Sequence, residues 1–272
     1  MSSKTLLLQR VNPSILYRYQ SPQKNRRFIE IWKTPCIVSK FGKPSEVHCS
    51  ILVNPANPQL SGVAQFPYFP RGGPVPKTPP RISAHHIMGY VSEWGGMDVG
   101  NGLLFPVSVI DGLVHLHGGW KLQAECKWLY MKHGGEPCPV GWAVRTSAGN
   151  GTLAKHYDTI IHTTPPFYQY HDEPERRLGE CYQSALEMAF TQQKGICRVA
   201  IPLLGAGARG FPVEVAVRVA GENVWNWCNQ RDTSLSNHDE QVVAMGVLEH
   251  TVAEELINVL SFMDSKDENG QS

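Results

Sequence analysis

The chain of 272 residues has no apolar run near the ~20 residues that a membrane span requires, so a spanning helix is not expected. It has no surplus of either charge: 25 Lys and Arg stand against 24 Asp and Glu. No global field then recruits nucleic acid or an anionic membrane, and non-specific nucleic-acid binding, which needs many phosphate contacts, is disfavoured. Any anion bound here must be gripped locally, by backbone amides or a few placed side chains. Cysteines are few and lack a pairing pattern: seven, an odd number without repeated spacing, several of them (Cys126, Cys181, Cys197) inside apolar segments. That usage fits reduced thiols and a cytoplasmic or nuclear compartment. Cys126, His133 and Cys138 are too irregularly spaced for zinc, and no metal or cofactor is expected. Met1–Leu8 lacks the long apolar core of a signal peptide, and no internal repeat is visible.

Residues 1–25 are polar and irregular and read as an N-terminal arm. Arg27–Val38 predicts one or two strands broken at Pro35, and Ser50–Val53 a short buried strand ending at Asn54-Pro55-Ala56-Asn57. From 58 to 106 prolines and glycines replace periodicity, and this stretch reads as an insertion. Helical spacing returns at Val107 and continues to Leu129, with Gly118-Gly119 between two helices. Trp142–Arg145 and Thr159–Thr163 predict strands, Glu175–Gln193 an amphipathic helix and Arg198–Leu204 a buried strand. Val213–Trp227 predicts a helix, Gln241–Leu248 a strand, Thr251–Phe262 a last helix, and 264–272 a flexible tail. Strands alternating with helices imply an α/β domain with a largely parallel sheet covered on both faces.

The sequence Gly205-Ala206-Gly207-Ala208-Arg209-Gly210 follows a buried strand and opens a helix near Pro212. Glycines there permit positive φ and close approach of the backbone, and the helix start adds amides and a positive dipole end. This is a phosphate or pyrophosphate cradle, or else a tight turn without a ligand. The same letters match the dinucleotide fingerprint of dehydrogenases, but the context does not. The loop comes late in the chain, and Asp232, Asp239 and Glu240 precede the next strand instead of ending it.

The longer run Ile201-Pro-Leu-Leu-Gly-Ala-Gly-Ala-Arg-Gly-Phe211-Pro212 resembles the macrodomain loop that wraps the ADP-ribose diphosphate. Val53-Asn-Pro-Ala-Asn57 resembles that family's Val-Asn-Ala-Ala-Asn, and Ile110-Asp-Gly-Leu-Val-His115 its Val-Asp-Gly-Ala-Ile-His. Ala143–Gly149 and Thr159–Thr163 are similar to its paired central strands, and Cys181-Tyr182 stands where the family has its helix before the diphosphate loop. The resemblance runs from Arg27 to Met263, interrupted by the insertion. It implies a three-layer α/β/α macrodomain with a mixed, mostly parallel central sheet, spanning 26–263.

The resemblance further implies ADP-ribose, free or on a modified protein, as the partner of a monomeric protein. It places Asn54, Ala56, Asn57, Leu204, Gly205, Ala206, Gly207, Ala208, Arg209, Gly210 and Phe211 at the ligand, and Asn57 and Asp111 at the distal ribose as catalysts. An Asn amide can pair with ribose hydroxyls, and a carboxylate at the anomeric carbon can orient water or stabilise oxocarbenium-like charge. The bland readings are a turn residue for Asn57 and a helix N-terminal charge for Asp111. Phe211 lies against the ribose or in the core, and Arg209 reaches the phosphates or turns to solvent. His115, His117 and His162 read as satisfied core histidines. Two departures from the family stand out: the insertion intervenes before Asp111, and Thr34-Pro35-Cys36 replaces the Gly-Asp-Ile whose Asp holds adenine. The functional expectation is hydrolysis of ADP-ribosyl esters. The alternatives are a non-catalytic ADP-ribose reader, and an interaction protein whose proline-rich insertion docks a partner.

Overall fold

The structure is a computed structural model that describes residues 15–20, 26–34, 36–38, 49–62, 110–191, 195–207, 209–230 and 239–270. Most of the predicted insertion, and the helical spacing expected from Val107 to Val109, lie outside the described residues.

Seven strands form one sheet among the described residues: β1 (Ile15–Gln20), β2 (Arg27–Lys33), β3 (Ile51–Pro55), β4 (Ala143–Ser147), β5 (Thr159–Thr163), β6 (Ile196–Pro202) and β7 (Glu240–Val247). Their order is β1-β2-β7-β6-β3-β5-β4. The five inner strands run parallel, and β1 and β4 close the two edges antiparallel. The helices are α1 (Ile110–Lys132), α2 (Pro174–Phe190), α3 (Val213–Asn229) and α4 (His250–Gly270). None is long and apolar enough to cross a membrane.

The inner strands carry apolar residues at consecutive positions because both faces of the sheet are covered. Ile51, Val53, Val199, Ile201, Val243 and Met245 point to one face, where α2, α3 and α4 supply Leu186, Val217, Val224 and Leu256. Leu52, Ile160, Ala200 and Ala244 point to the other, against Val114, Leu122 and Cys126 of α1. The expectation of an α/β/α sandwich is met. The break expected at Gly118-Gly119 is present: α1 kinks at Gly119, whose φ is 73°.

The structure changes two expectations about the ends. Residues 15–20, within the segment read as an irregular arm, form an edge strand, because Leu16 and Tyr17 pack on the core and Tyr19 is buried in it. Asp264 is not in a loose tail: it lies within α4 and accepts a 2.9 Å hydrogen bond from the Tyr19 hydroxyl.

Glu30 is fully buried on β2. Its carboxylate takes two bonds from Arg198 (3.1 and 3.0 Å) and one from the Trp32 indole (2.9 Å). Removing one partner of such a pair leaves the other poorly compensated. Glu30→Ala is expected to cost about 3 kcal/mol, the lower end of the usual range because Arg198 keeps some solvent contact. Urea unfolding checks it, and a midpoint equal to that of the parent would refute it.

Candidate functional site

β3 and β6 are neighbours in the sheet, yet the chain leaves them toward opposite faces, β3 leading to α1 and β6 to α3. Such a reversal opens a crevice beyond the carboxyl ends of the strands, where open α/β sheets bind ligands. The Asn54–Asn57 segment, the head of α1 and the Leu204–Phe211 loop meet there. The carboxyl end of β2 leads into Thr34 at the same edge of the sheet. Thr34 N–H donates to the Val247 carbonyl (2.9 Å), and Pro35 lies outside the described residues.

The glycine loop is braced from below. Leu204 N–H donates to the buried Tyr182 hydroxyl (2.9 Å), and Phe211 N–H to the Gly205 carbonyl (3.2 Å). Gly205 has φ +86°, and a Cβ there would lie 2.9 Å from the Phe211 ring, so conformation and space both require glycine. Gly207 is different. It is exposed, and a Cβ on it would meet nothing within 4 Å, so the space above it is open. Gly210 N–H donates to the Gly207 carbonyl (3.0 Å) and closes the turn. Ala206 is half-buried, and Ala208 lies outside the described residues.

For two loop residues the structure gives the surroundings of the side chain. Phe211 is fully buried in the core, its ring 5.0 Å from that of Tyr168. Arg209 neither turns to solvent nor projects over the loop. Its guanidinium is buried, donates to the Ala56 carbonyl at 2.7 Å and sits 4.4 Å over the Phe167 ring. Its bond to the Ala56 carbonyl ties the glycine loop to the Asn54–Asn57 segment, and the aromatic face beneath stabilises the cation. Desolvation lowers its pKa to about 10, which still leaves it charged at neutral pH.

Asn57 is also buried and committed. Its Nδ2 donates to the Gly62 carbonyl (2.6 Å), and its Oδ1 accepts from the Ser61 amide (3.1 Å) and hydroxyl (3.2 Å). These bonds staple the 57–62 turn, as the turn-residue reading expects. Asn54 takes the place beside the carboxylate. Its Nδ2 donates to Asp111 Oδ1 at 2.8 Å and lies 3.1 Å from His162 Nδ1. The other imidazole nitrogen, Nε2, lies 2.8 Å from Thr146 Oγ1.

Asp111 stands at the head of α1 and is buried. Burial raises its pKa, opposed by His115, whose Nε2 lies 3.5 Å from Oδ1, by the Asn54 bond and by Arg209. Burial pushes the His162 pKa down to about 3, so this imidazole is neutral at physiological pH. Among the described residues, buried Asn54 Oδ1, Asp111 Oδ2 and His115 Nε2 have no hydrogen-bond partner. Buried acceptors left open are costly, and here neighbouring residues supply two of them. A ligand or water bringing O–H groups would satisfy both. Of the three histidines read as core residues, His162 is fully buried and His115 borders the carboxylate. His117 bonds Thr152 Oγ1 at the surface. The sequence reading missed the His162 contacts: its only signal was that Thr159–Thr163 forms a strand beside Asn54, and cross-strand pairing sets Asn54 directly against His162.

Comparison with known proteins agrees with this geometry. The Macro domain family model matches residues 101–220. A macro domain-containing protein of Streptomyces coelicolor is 32% identical over 128 residues, 47% of this chain and 72% of the relative. The chain belongs to the macro domain family. The O-acetyl-ADP-ribose deacetylase 1 of Pantoea vagans is 34% identical over 149 residues, 54% of this chain and 81% of that protein. Among solved structures, the Oceanobacillus iheyensis macrodomain with ADP superimposes with a TM-score of 0.60 at 18% identity, covering 92% of this chain and 98% of its own. The structural likeness covers more of the chain than the residues 101–220 that the family model matches.

Proposed function

We propose that this macrodomain binds ADP-ribose in the crevice between β3 and β6 and hydrolyses an ADP-ribosyl ester, on a mono-ADP-ribosylated protein or on an O-acyl-ADP-ribose. The observation that carries the reading is the buried Asp111 carboxylate, held at one oxygen by Asn54 and, among the described residues, open at the other. The open space over Gly207 has room for the diphosphate, held by loop amides and the start of α3. The distal ribose then lies between the Asn54–Asn57 segment and the head of α1. There the open acceptors of Asn54 and Asp111 take its hydroxyls or a water. The carboxylate orients that water toward the anomeric carbon, an anomeric ester leaving as a carboxylate, or toward the acyl carbonyl where the ester sits on another ribose hydroxyl, which is released as the alcohol. Asn57 contributes through the second hydrogen on Nδ2, its other bonds keeping the turn closed around the sugar. Arg209 and Phe211 act from beneath, one tying two ligand-facing segments together and the other filling the space under Gly205.

The relative from Pantoea vagans, named for O-acetyl-ADP-ribose deacetylation, supports the ester as the bond cut. Incubation with a glutamate-linked mono-ADP-ribosylated protein, and separately with O-acetyl-ADP-ribose, should release free ADP-ribose in a time-dependent way. No release from either, under conditions where calorimetry shows ADP-ribose bound, would leave the second reading, a module that holds ADP-ribose without cleaving it. The commitment of Asn57 to its own turn favours that alternative.

A further inference from the structure

We infer that His162 is a positioning residue for the proposed hydrolysis: together with Thr146 it sets the orientation of the Asn54 amide, and through it that of the Asp111 carboxylate. The inference rests on the reading of the site given above.

Four buried side chains from four elements form one chain of bonds: Thr146 on β4, His162 on β5, Asn54 on β3 and Asp111 on α1. Its polarity follows from the chemistry of its end. Asp111 Oδ1 accepts, so the Asn54 group facing it is the NH2. The second hydrogen of that NH2 meets His162 Nδ1, which must accept it. The imidazole proton therefore sits on Nε2 and is donated to Thr146 Oγ1. Each member thus dictates the next. Reversing the Asn54 amide would set its oxygen against the carboxylate and put two acceptors face to face.

The result at the crevice is specific. With both Nδ2 hydrogens taken, Asn54 Oδ1 points elsewhere and, among the described residues, is a buried acceptor left open alongside Asp111 Oδ2. A donor-bearing ligand meets two oriented acceptors, one of them the carboxylate oxygen that Asn54 does not hold. The charged and titratable groups around Asp111 are His115 and Cys126 on α1, Arg209 from the glycine loop and His162 itself. Of these groups only His162 reaches it through Asn54.

The test uses the full-length protein and three substitutions. His162→Leu removes the acceptor facing Asn54. His162→Asn restores one, since its Oδ1 falls near the place of Nδ1. Thr146→Val removes the hydroxyl with little change of shape and serves if His162→Leu does not fold. For His162→Leu, kcat on the ester substrate should fall ~30-fold, within the range usual when a residue orienting a working group is lost, while the Kd for ADP-ribose moves less than about threefold. The acid limb of its pH–kcat profile should move upward, because the amide bond that favours the ionised carboxylate becomes disordered. His162→Asn should return kcat to within about threefold of the parent, and Thr146→Val should fall between the two. In the parent, nitrogen NMR of labelled histidine should show His162 protonated on Nε2 and not titrating between about pH 5 and 8.

A His162 protonated on Nδ1, or titrating in that window, overturns the inference whatever the activity. So does a folded His162→Leu with parental kcat and pH profile, or a His162→Asn as impaired as His162→Leu. If the parent has no turnover, the hydrolase reading fails separately. The NMR of His162, and of the Asn54 side-chain amide in parent and His162→Leu, then shows whether the chain of bonds itself exists.

Discussion

Gly207→Glu is expected to abolish ADP-ribose binding and leave the fold intact. The two halves of that result come from the same observation. Gly207 is exposed, its φ lies outside the left-handed region, and a Cβ on it would touch nothing within 4 Å, so a side chain costs the folded protein little. The open space that tolerates the side chain is the space the proposed diphosphate must enter. A carboxylate placed there fills it and repels the anion in a poorly screened cleft. A loss above ~3 kcal/mol, more than a hundredfold in Kd, is reasonable for a like charge set against a ligand phosphate. Calorimetry with ADP-ribose measures the loss and circular dichroism the fold. Gly205→Ala makes the contrast: its positive φ and the nearby Phe211 ring predict lost stability first, with binding lost as a consequence. A folded Gly207→Glu protein that binds ADP-ribose like the parent would show that this loop is only a turn, and the functional reading would fall with it.

Most of the framework was legible because burial on both faces writes itself into consecutive apolar residues. Ile201, Val243 and Met245 on one face alternate with Ala200 and Ala244 on the other, so the strands announce themselves without ambiguity of period. Strand β1 was not legible. Ile15-Leu-Tyr-Arg-Tyr19 is a short apolar run broken by Arg18, and pairing with β2 decides its structure more than its own pattern does. The last helix outran its expected end for a similar reason, since Asp264 finds Tyr19 on a strand far away in the chain.

At the site, the positions were legible and the directions were not. The motif letters put Asn54, Asn57, Asp111 and the glycine loop at one crevice. They do not say that Arg209 folds back onto Ala56, or that Asn57 spends its amide on Ser61 and Gly62. Those outcomes depend on which polar group finds a partner when two loops close on each other. The phosphate reading of Arg209 assumed a side chain free to choose its target. The structure shows a buried cation that bonds a backbone carbonyl and lies over an aromatic ring. His162 was read as a satisfied core histidine. It is satisfied, but by a neighbour at the candidate site: Asn54 is its partner across the parallel β3–β5 pair.

Asp111→Ala should separate catalysis from binding in the way Gly207→Glu does not. In the proposed mode the glycine loop grips the diphosphate, while the carboxylate faces the ribose. Its work is done at the reacting bond, so its loss should appear in kcat far more than in affinity. Removing a general base or charge stabiliser costs ~10²–10⁴ in rate, and turnover should fall by at least the lower figure. The Kd for ADP-ribose should change less than about tenfold, since a ribose hydroxyl loses one acceptor and keeps the Asn54 oxygen. The pH profile of the parent carries an independent signature. Burial raises the Asp111 pKa, and the group works ionised, so activity should fall with falling pH through a limb above the usual carboxylate range. Asp111→Asn should keep the size and remove the charge. Its residual rate should no longer follow that limb. Asn54 Nδ2 would then face an amide in place of a carboxylate, able to keep its bond by presenting its hydrogen to the new Oδ1. A variant that retains parental kcat, or that loses ADP-ribose affinity and turnover in equal measure, would remove Asp111 from the reacting end and leave it a structural charge at the head of α1.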